Sequence, residues 1–489
     1  MKNPENSMTW EKNKKFLFLC SLLLCAFLYF SIDALFRPLW FDEALTLLEF
    51  VTRPRLMDIY RCYEIPNNHI IFNIILKLWM SIHEKLFSIS DFSFRIFSFS
   101  VSLSTIFYLF TRWKKIMGTY VSFIIVLALI CSMPFEIYCV AIRGYMLSFL
   151  LTALSFDFCA SWLKKQKLLY AVLFFSASLL SVGTMPSNLI ALCAILIYFF
   201  PFRDIHKAFR YPYIIVALLP ATALICFYAP IYSKFIKIFS LKEGCGNHFM
   251  VILSVYGAFI VSFLPLLIPA ATAGSRRLFR KAHIIRSIPV LLIIALPLPF
   301  IFMKTPAPFP RIFFPLWPVW LIILGLGLKS FLCLRGLRME KHKLLIFISV
   351  SLCVLIWGLI QKQTKAGFST YLSDKNSLDD YFQPYYQKNF DPPSVVKEIA
   401  KRVKENPMPI YATFQADPYS LVFYGKLLDV PDWRYDNPRE NAKKLESGNA
   451  LAVVHNDDEI EKLKEKSGAK KAFLIKSFGY QKLYQLSLE

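Results

Sequence analysis

Arg37-Pro-Leu-Trp-Phe-Asp-Glu-Ala-Leu-Thr46 follows the first long apolar run of the chain and sets two adjacent acids, Asp42 and Glu43, just beyond it. Carboxylates are costly in a bilayer and unnecessary for inserting a span, so this pair needs a local or a chemical reason. The local reason is a helix start: Pro38 suits a first helical turn, and acids there complement the helix dipole. The chemical reason is limited by geometry. Neighbouring helical residues point about 100° apart, so the two carboxylates cannot serve one atom as equal partners. If one is a base, the other has a different task.

Around this stretch the chain is strongly apolar. Of 489 residues, 56% are hydrophobic and 16% aromatic, and the mean hydropathy is +0.47. The excess comes as repeated long runs, which points to a polytopic membrane protein. The runs lie near residues 15–32, 92–111, 118–134, 145–163, 168–185, 187–202, 211–230, 249–270, 287–303, 312–334 and 343–361. Lys12, Lys14 and Lys15 precede the first run and no small-residue cleavage site follows it, so it is expected to be an uncleaved signal-anchor.

The formal net charge is +23, but much of it falls in short loops between runs and no nucleic-acid motif accompanies it. Basic clusters at Arg112/Lys114/Lys115, Lys164/Lys165/Lys167, Arg203/Lys207/Arg210, Arg276/Arg277/Arg280/Lys281 and Arg335/Arg338/Lys341/Lys343 are expected on the cytoplasmic side. Counting back, the Asp42 loop is external only if residues 67–83 do not cross. That segment, interrupted by Asn73 and Lys77, is therefore expected to be a juxtamembrane or re-entrant helix, leaving about eleven spans and an external C-terminus.

The eleven cysteines contain no C-x-x-C pair and no cluster with histidine, so neither a disulfide framework nor a zinc site is indicated. Cys62 and Cys245 fall in loops on the expected outer face, where one disulfide is open. From about residue 365 the composition turns to mixed charged and apolar sequence. Val395–Lys404 and Ile460–Lys466 have a helical period, while 409–413, 450–454, 472–475 and 482–488 read as strands. A small α/β domain over 365–489, without a phosphate-binding glycine loop, follows a membrane domain over 1–364.

With this topology, Asp42, Glu43, Asn67, Asn68, His69, Glu136, Arg143, Tyr145, Lys304 and Arg311 collect on the external side. Acids together with Arg and Lys suit a substrate that carries a phosphate and a hydroxyl to be deprotonated. A guanidinium grips phosphate through two parallel hydrogen bonds, and a nearby carboxylate can take a hydroxyl proton.

The order of these residues resembles a known group. Asp42-Glu43 after Trp40, Pro66-Asn-Asn-His69 before an apolar helix, Arg95 opening the next span, Arg143-x-Tyr145, and Arg311 before a Pro-rich span are similar to the GT-C glycosyltransferases. The likeness is to bacterial relatives of the protein O-mannosyltransferases and the lipid A aminoarabinose transferase, and it covers about residues 15–361. It implies an all-α polytopic membrane fold of GT-C type in a bacterial cytoplasmic membrane, with the C-terminal α/β domain outside. It further implies inverting transfer of a sugar from a polyprenyl-phosphate donor to a hydroxyl of a lipid, glycan or protein acceptor.

By the same resemblance Asp42 is the general base and Glu43 orients the acceptor or supports the loop. Asn68, His69, Arg95, Arg143, Tyr145, Lys304 and Arg311 line the substrate site, with Arg143, Lys304 and Arg311 toward the donor phosphate. No cofactor follows with certainty; a divalent metal is left open, though no sequential ligand cluster exists. Two positions depart from the pattern. Val140-Ala-Ile142 stand where relatives often carry an acid, with Glu136 nearby, and Ile312 stands where many have tyrosine.

Structural roles compete at several positions. Asn67 suits an N-cap, His69 a structural hydrogen-bonder, and Arg95 and Lys304 interfacial anchors. His455-Asn-Asp-Asp458 has metal-ligand residue types, yet fits a turn at a strand end better. The rival function is a transporter or flippase, which would bring internal symmetry and polar residues at mid-membrane depth. The sequence shows neither.

Overall fold

The computed structural model describes residues 4–63, 68–83, 91–202, 204–239, 247–278, 284–303, 305–332, 340–363, 390–435 and 448–487. The chain forms two compact units: Met1–Leu35 with Leu56–Ser377, and Phe36–Arg55 with Leu378–Glu489.

The first unit is helical and apolar, as expected for a polytopic membrane protein. Among the described residues, seven helical segments are long and apolar enough to cross a bilayer: Asn13–Leu35, Phe92–Met117, Tyr145–Lys165, Tyr211–Lys237, His248–Thr272, Pro310–Leu332 and Leu344–Gln363. Five further apolar stretches are shorter. Prolines account for several of the short ones, because proline removes a backbone donor and clashes with the preceding turn. The run expected over 118–134 is helical only as Thr119–Ile130, and Pro134 opens a new helix, Met133–Tyr138. Pro186 starts a 3-10 turn ahead of Leu189–Phe199. The run over 287–303 splits into Ile284–Ala295 and Pro297–Met303. Inside His248–Leu278, Phe263 leaves helical geometry beside Pro265 and Pro269, the usual cause of a kink.

Tyr145–Lys165 packs on Leu168–Thr184, which in turn packs on Tyr211–Tyr228, and His248–Leu278 packs on Trp317–Leu332. The reversal after Lys165 is made by Gln166 in the left-handed region, φ 52°. Helix Ile70–His83 has 14 residues. At 1.5 Å per residue it spans roughly 21 Å, short of the ~30 Å hydrocarbon core.

The second unit is the small α/β domain joined by the acid-bearing segment. Five strands, β1 (Ile410–Ala412), β2 (Trp433–Tyr435), β3 (Asn449–Val454), β4 (Lys471–Ser477) and β5 (Lys482–Ser487), form one sheet in the order β2-β1-β3-β5-β4. β1 pairs in parallel with β2 and β3, whereas β5 runs antiparallel to β3 and β4. Helix Pro392–Glu405 starts on an Asp391 cap with prolines in its first turn, and buries Val395, Val396, Ile399 and Val403 along one stripe. Helix Asp457–Ser467 starts on an Asn456 cap and ends at Gly468, φ 76°. Tyr411, Ala452, Val454, Ile460, Leu463 and Leu486 close the core between this helix and the sheet.

The structure adds two elements to those expected, helix Pro418–Leu427 and strand β2. His455–Asp458 makes a turn and helix cap. The His455 ring meets the Tyr480 carbonyl at 2.9 Å, Asn456 accepts the Glu459 N–H, and Asp457 pairs with Lys482 at 2.8 Å. The 364/365 boundary expected from composition, Asn67, Cys245 and Lys304 lie outside the described residues.

Candidate functional site

The acid pair lies in the second unit. Helix Phe41–Leu45 begins three residues after Pro38, with Trp40 as its N-cap, and both Asp42 and Glu43 are buried. Glu43 stands at the third helical position, where its carboxylate reaches back to the N-cap backbone: the Trp40 N–H donates to Oε2 at 3.4 Å. That is the returning half of a capping box. The Asp42 side chain, about a third of a turn away, is not used in this cap. The two neighbours therefore have different surroundings, as their angular separation requires. The helix runs directly into a π-helical turn, Thr46–Val51, in which Thr46 Oγ1 donates to the Asp42 carbonyl at 2.8 Å. π-Turns are rare and concentrate at functional sites.

The first unit gathers a basic cluster around His69, at the start of helix Ile70–His83. The backbone N–H of Gly144 donates to His69 Nδ1 at 2.8 Å, and Arg143 Nη2 lies 3.3 Å from Nε2. Both neighbours are donors, but a neutral imidazole has one lone pair to give. The shorter contact assigns it to Nδ1, so Nε2 carries the proton. Burial holds the ring well below the ordinary histidine range, and the charges of Arg143 and Arg311 lower it further. His69 is thus a neutral N–H donor whose proton faces the same region as a guanidinium.

Two features extend the cluster. Helix Tyr145–Lys165 starts at Gly144 with 21 residues behind it, so the positive end of its dipole falls here. Arg311 comes from the 3-10 turn Pro310–Leu316 and lies over the Phe309 ring at 4.9 Å. Tyr145 stands edge-on to His69 with ring centroids 5.2 Å apart, and Tyr138 bridges Tyr145 and Phe314 at 4.6 and 4.8 Å. An N–H donor, two buried guanidiniums and a helix start make a region suited to an anion with several acceptor oxygens.

The other sequence candidates divide. Asn68 uses its amide locally: Nδ2 donates to the Ile59 and Cys62 carbonyls at 3.2 and 2.6 Å, and Oδ1 accepts from Asn73 at 2.8 Å. It ties the start of helix Ile70–His83, where His69 stands, to the end of helix Leu56–Arg61. Arg95 is fully buried and donates from Nη1 to the Ala34 carbonyl at 3.0 Å, near the end of the first helix, where a cation complements the dipole. Glu136 is buried in the first turn of Met133–Tyr138. Among the described residues, no group of three or more His, Cys, Asp or Glu gathers as metal ligands.

Gly144 is a residue that sequence reasoning missed although it sits inside a quoted motif. A Cβ there would lie 2.9 Å from His69 Nδ1 and 2.5 Å from Thr184 Cγ2, so the approach of His69 to the backbone requires glycine. Asp417, Ser420 and Tyr424, which touch the acid segment, carried a local signal only. Asp417-Pro418 is a helix start by its residue types, with nothing to say what that helix would meet.

The fold consists of a helical, apolar unit and a unit built on a small C-terminal α/β sheet. Two solved structures share it, both of ArnT from Cupriavidus metallidurans. The apo structure superposes with a TM-score of 0.54 at 12% identity, covering 97% of this chain and 98% of that one. The structure bound to undecaprenyl phosphate gives 0.55 at 12% identity, covering 96% and 98%. No protein-family model matches the sequence, and none of the curated proteins does.

Proposed function

We propose that the protein is a membrane glycosyltransferase that moves a sugar from a polyprenyl-phosphate carrier to a hydroxyl of a lipid, glycan or protein acceptor. The observation that carries this reading is the buried cluster of His69, Arg143 and Arg311, in which Gly144 holds the imidazole through Nδ1 and both arginine charges act on the ring. A lipid phosphate has the charge to complement the two guanidiniums, and one ArnT structure of the same fold is bound to undecaprenyl phosphate.

In the proposed step the acceptor oxygen attacks the anomeric carbon from the face opposite the phosphate. The bond from that carbon to the phosphate oxygen breaks with its electron pair, releasing polyprenyl phosphate. Asp42 takes the acceptor proton as general base, and the sugar inverts because one displacement occurs. Polyprenyl phosphate is a weak base, so its departure needs charge stabilisation rather than a proton. Arg143 and Arg311 supply that charge, and His69 donates through Nε2–H. One carboxylate therefore suffices, in contrast to the pair used in glycoside hydrolysis.

In this reading residues 1–364 are the catalytic membrane domain of a bacterial cytoplasmic-membrane enzyme and residues 365–489 an extracytoplasmic domain. The test is to incubate purified protein in lipid with radiolabelled polyprenyl-phosphate sugars and candidate acceptors. Label transferred by the wild type and not by Asp42→Asn supports the reading. Label that stays on the carrier for every donor tried, with the carrier itself moved across vesicles, supports a transporter instead.

A further inference from the structure

We infer that helix Pro418–Leu427 of the C-terminal domain is a clamp for the acid helix, with Asp417, Ser420 and Tyr424 as positioning residues for Asp42. The inference rests on Asp42 being the base, and it gives the C-terminal domain a task in the same reaction.

The clamp holds the backbone immediately before Asp42. The Leu39 N–H donates to Tyr424 Oη at 2.8 Å. The Leu39 carbonyl lies 2.8 Å from Ser420 Oγ. The Phe41 backbone, at the first position of the acid helix, favours the ionised form of the Asp417 carboxyl. The Phe41 ring is fixed edge-on by Phe414 and Tyr419, with centroids 5.3 and 4.9 Å away. Two residues of backbone and one ring are thus held from one side. These contacts join positions some 380 residues apart in the chain, as far as Leu39 and Tyr424, at a separation of 385. Tyr424 and Ser420 fall four apart on the helix, which puts them on one face.

Proton accounting makes Asp417 more than a helix cap. Ser420 Oγ lies 2.8 Å from both the Leu39 carbonyl and Asp417 Oδ2, and a hydroxyl has one proton. If Asp417 is protonated, it donates to Ser420 Oγ, and Ser420 donates onward to Leu39. If Asp417 is ionised, the serine proton turns to the carboxylate and the Leu39 carbonyl loses its donor. Oδ1 accepts the Ser420 N–H at 3.1 Å in either state. Burial, with a smaller push from the Asp42 charge, raises Asp417 to about 7 against the lowering hydrogen bonds of Ser420. Asp42 is the ionisable group that acts on it from the acid helix, and Glu398 on the neighbouring helix pairs with Arg402 at 2.8 Å. Asp417 itself adopts φ 59°, a left-handed backbone that asparagine and aspartate tolerate best among side-chain-bearing residues.

The arrangement gives opposite expectations for one substitution at two aspartates. Asparagine at 417 reproduces the protonated acid: its Nδ2 donates to Ser420 and its Oδ1 accepts the backbone N–H groups. Asp417→Asn is expected to keep most of the turnover, whereas Asp417→Ala lowers kcat roughly 10- to 100-fold, the scale for a displaced catalytic group. Tyr424→Phe, which keeps the ring and deletes one tether, is expected to lower kcat by a smaller factor. Polyprenyl phosphate binding, measured without sugar, should hold in both. Hydrogen exchange of full-length protein should quicken over residues 36–45 in Asp417→Ala and Tyr424→Phe, with β3 and β5 unchanged.

Wild-type kcat together with unchanged exchange over 36–45 in both variants overturns the clamp. Should Asp417→Ala not fold, the Tyr424→Phe arm decides alone. A fully active Asp42→Asn would instead sink the base assignment, and the exchange measurement would still decide whether the clamp exists.

Discussion

Gly144 donates its backbone N–H to His69 Nδ1 at 2.8 Å, and a β-carbon on that glycine would stand 2.9 Å from the same nitrogen. The contact fixes the imidazole tautomer and leaves no room for a side chain. Gly144→Ala is therefore expected to displace His69 and to lower turnover roughly 10- to 100-fold, although alanine favours the helix that follows. Thermal stability measured alongside separates the two effects. A variant that is as active as wild type would remove the His69–Gly144 contact from the functional site.

Asp42 and Glu43 are expected to differ under the same change. Glu43 caps its own helix through Trp40, so Glu43→Ala should cost about 1 kcal/mol of local stability, while Glu43→Gln retains an acceptor oxygen and most activity. Asp42→Asn should lower turnover by about 10²–10⁴-fold, the usual range for a general base, with folding and membrane insertion intact. Equal losses at Asp42→Asn and Glu43→Gln would show that both serve the helix.

Two buried groups give the protein opposite pH dependences. Asp417 lies near 7 when folded against 3.8 ordinarily. Between those values the folded state keeps a proton that the unfolded chain releases, so this contribution to stability is lost as pH rises from about 4 to about 7. His69 is depressed below 6.5. The unfolded chain binds the proton first, so stability falls as pH drops below about 6.5. Hydrogen exchange should locate the two separately. Residues 36–45 should open more readily at about pH 8 than at about pH 5, and Asp417→Asn should erase that difference. The backbone around Gly144 should show the reverse trend.

The apolar runs made the helical membrane fold legible, because burial in lipid needs little more than length and hydrophobicity. The punctuation was less legible. Pro134 and Pro297 each shorten a run that hydropathy averages across, and the 3-10 turn begun by Pro186 delays the next helix to Leu189. In the C-terminal domain Val395–Val403 revealed its helix through a regular apolar stripe. Helix Pro418–Leu427 was not seen, since it is buried on several sides and shows almost no stripe. Arg143 and Arg311 were proposed from residue type and order, but the His69 tautomer depends on a backbone donor, which no side-chain pattern records. The contacts of Leu39 with Ser420 and Tyr424 are non-local, and periodicity carries no information about them.

The basic loops set an expected topology with the C-terminal domain outside and Ile70–His83 not crossing. Alkaline phosphatase fused after Thr370 should be active in a bacterial host. An active cytoplasmic reporter at that place would put the C-terminus inside and withdraw the extracytoplasmic assignment.

The donor phosphate is expected to meet Arg143, Arg311 and His69 together, and the three should respond differently to substitution. Arg311→Ala removes a charged donor and should weaken polyprenyl phosphate binding by about 1.5–3 kcal/mol. Arg143→Lys keeps the charge and loses the planar fork, so it should still impair binding if two oxygens are held at once. His69→Gln offers an N–H from an amide and should lose less than His69→Phe, which fills the place without a donor. Because the phosphate gains charge as the sugar departs, part of each loss belongs in turnover rather than in binding. Binding of polyprenyl phosphate without sugar should fall in parallel for Arg143 and Arg311. If either variant binds that lipid normally and loses affinity for the acceptor, its arginine belongs to the acceptor side of the reaction.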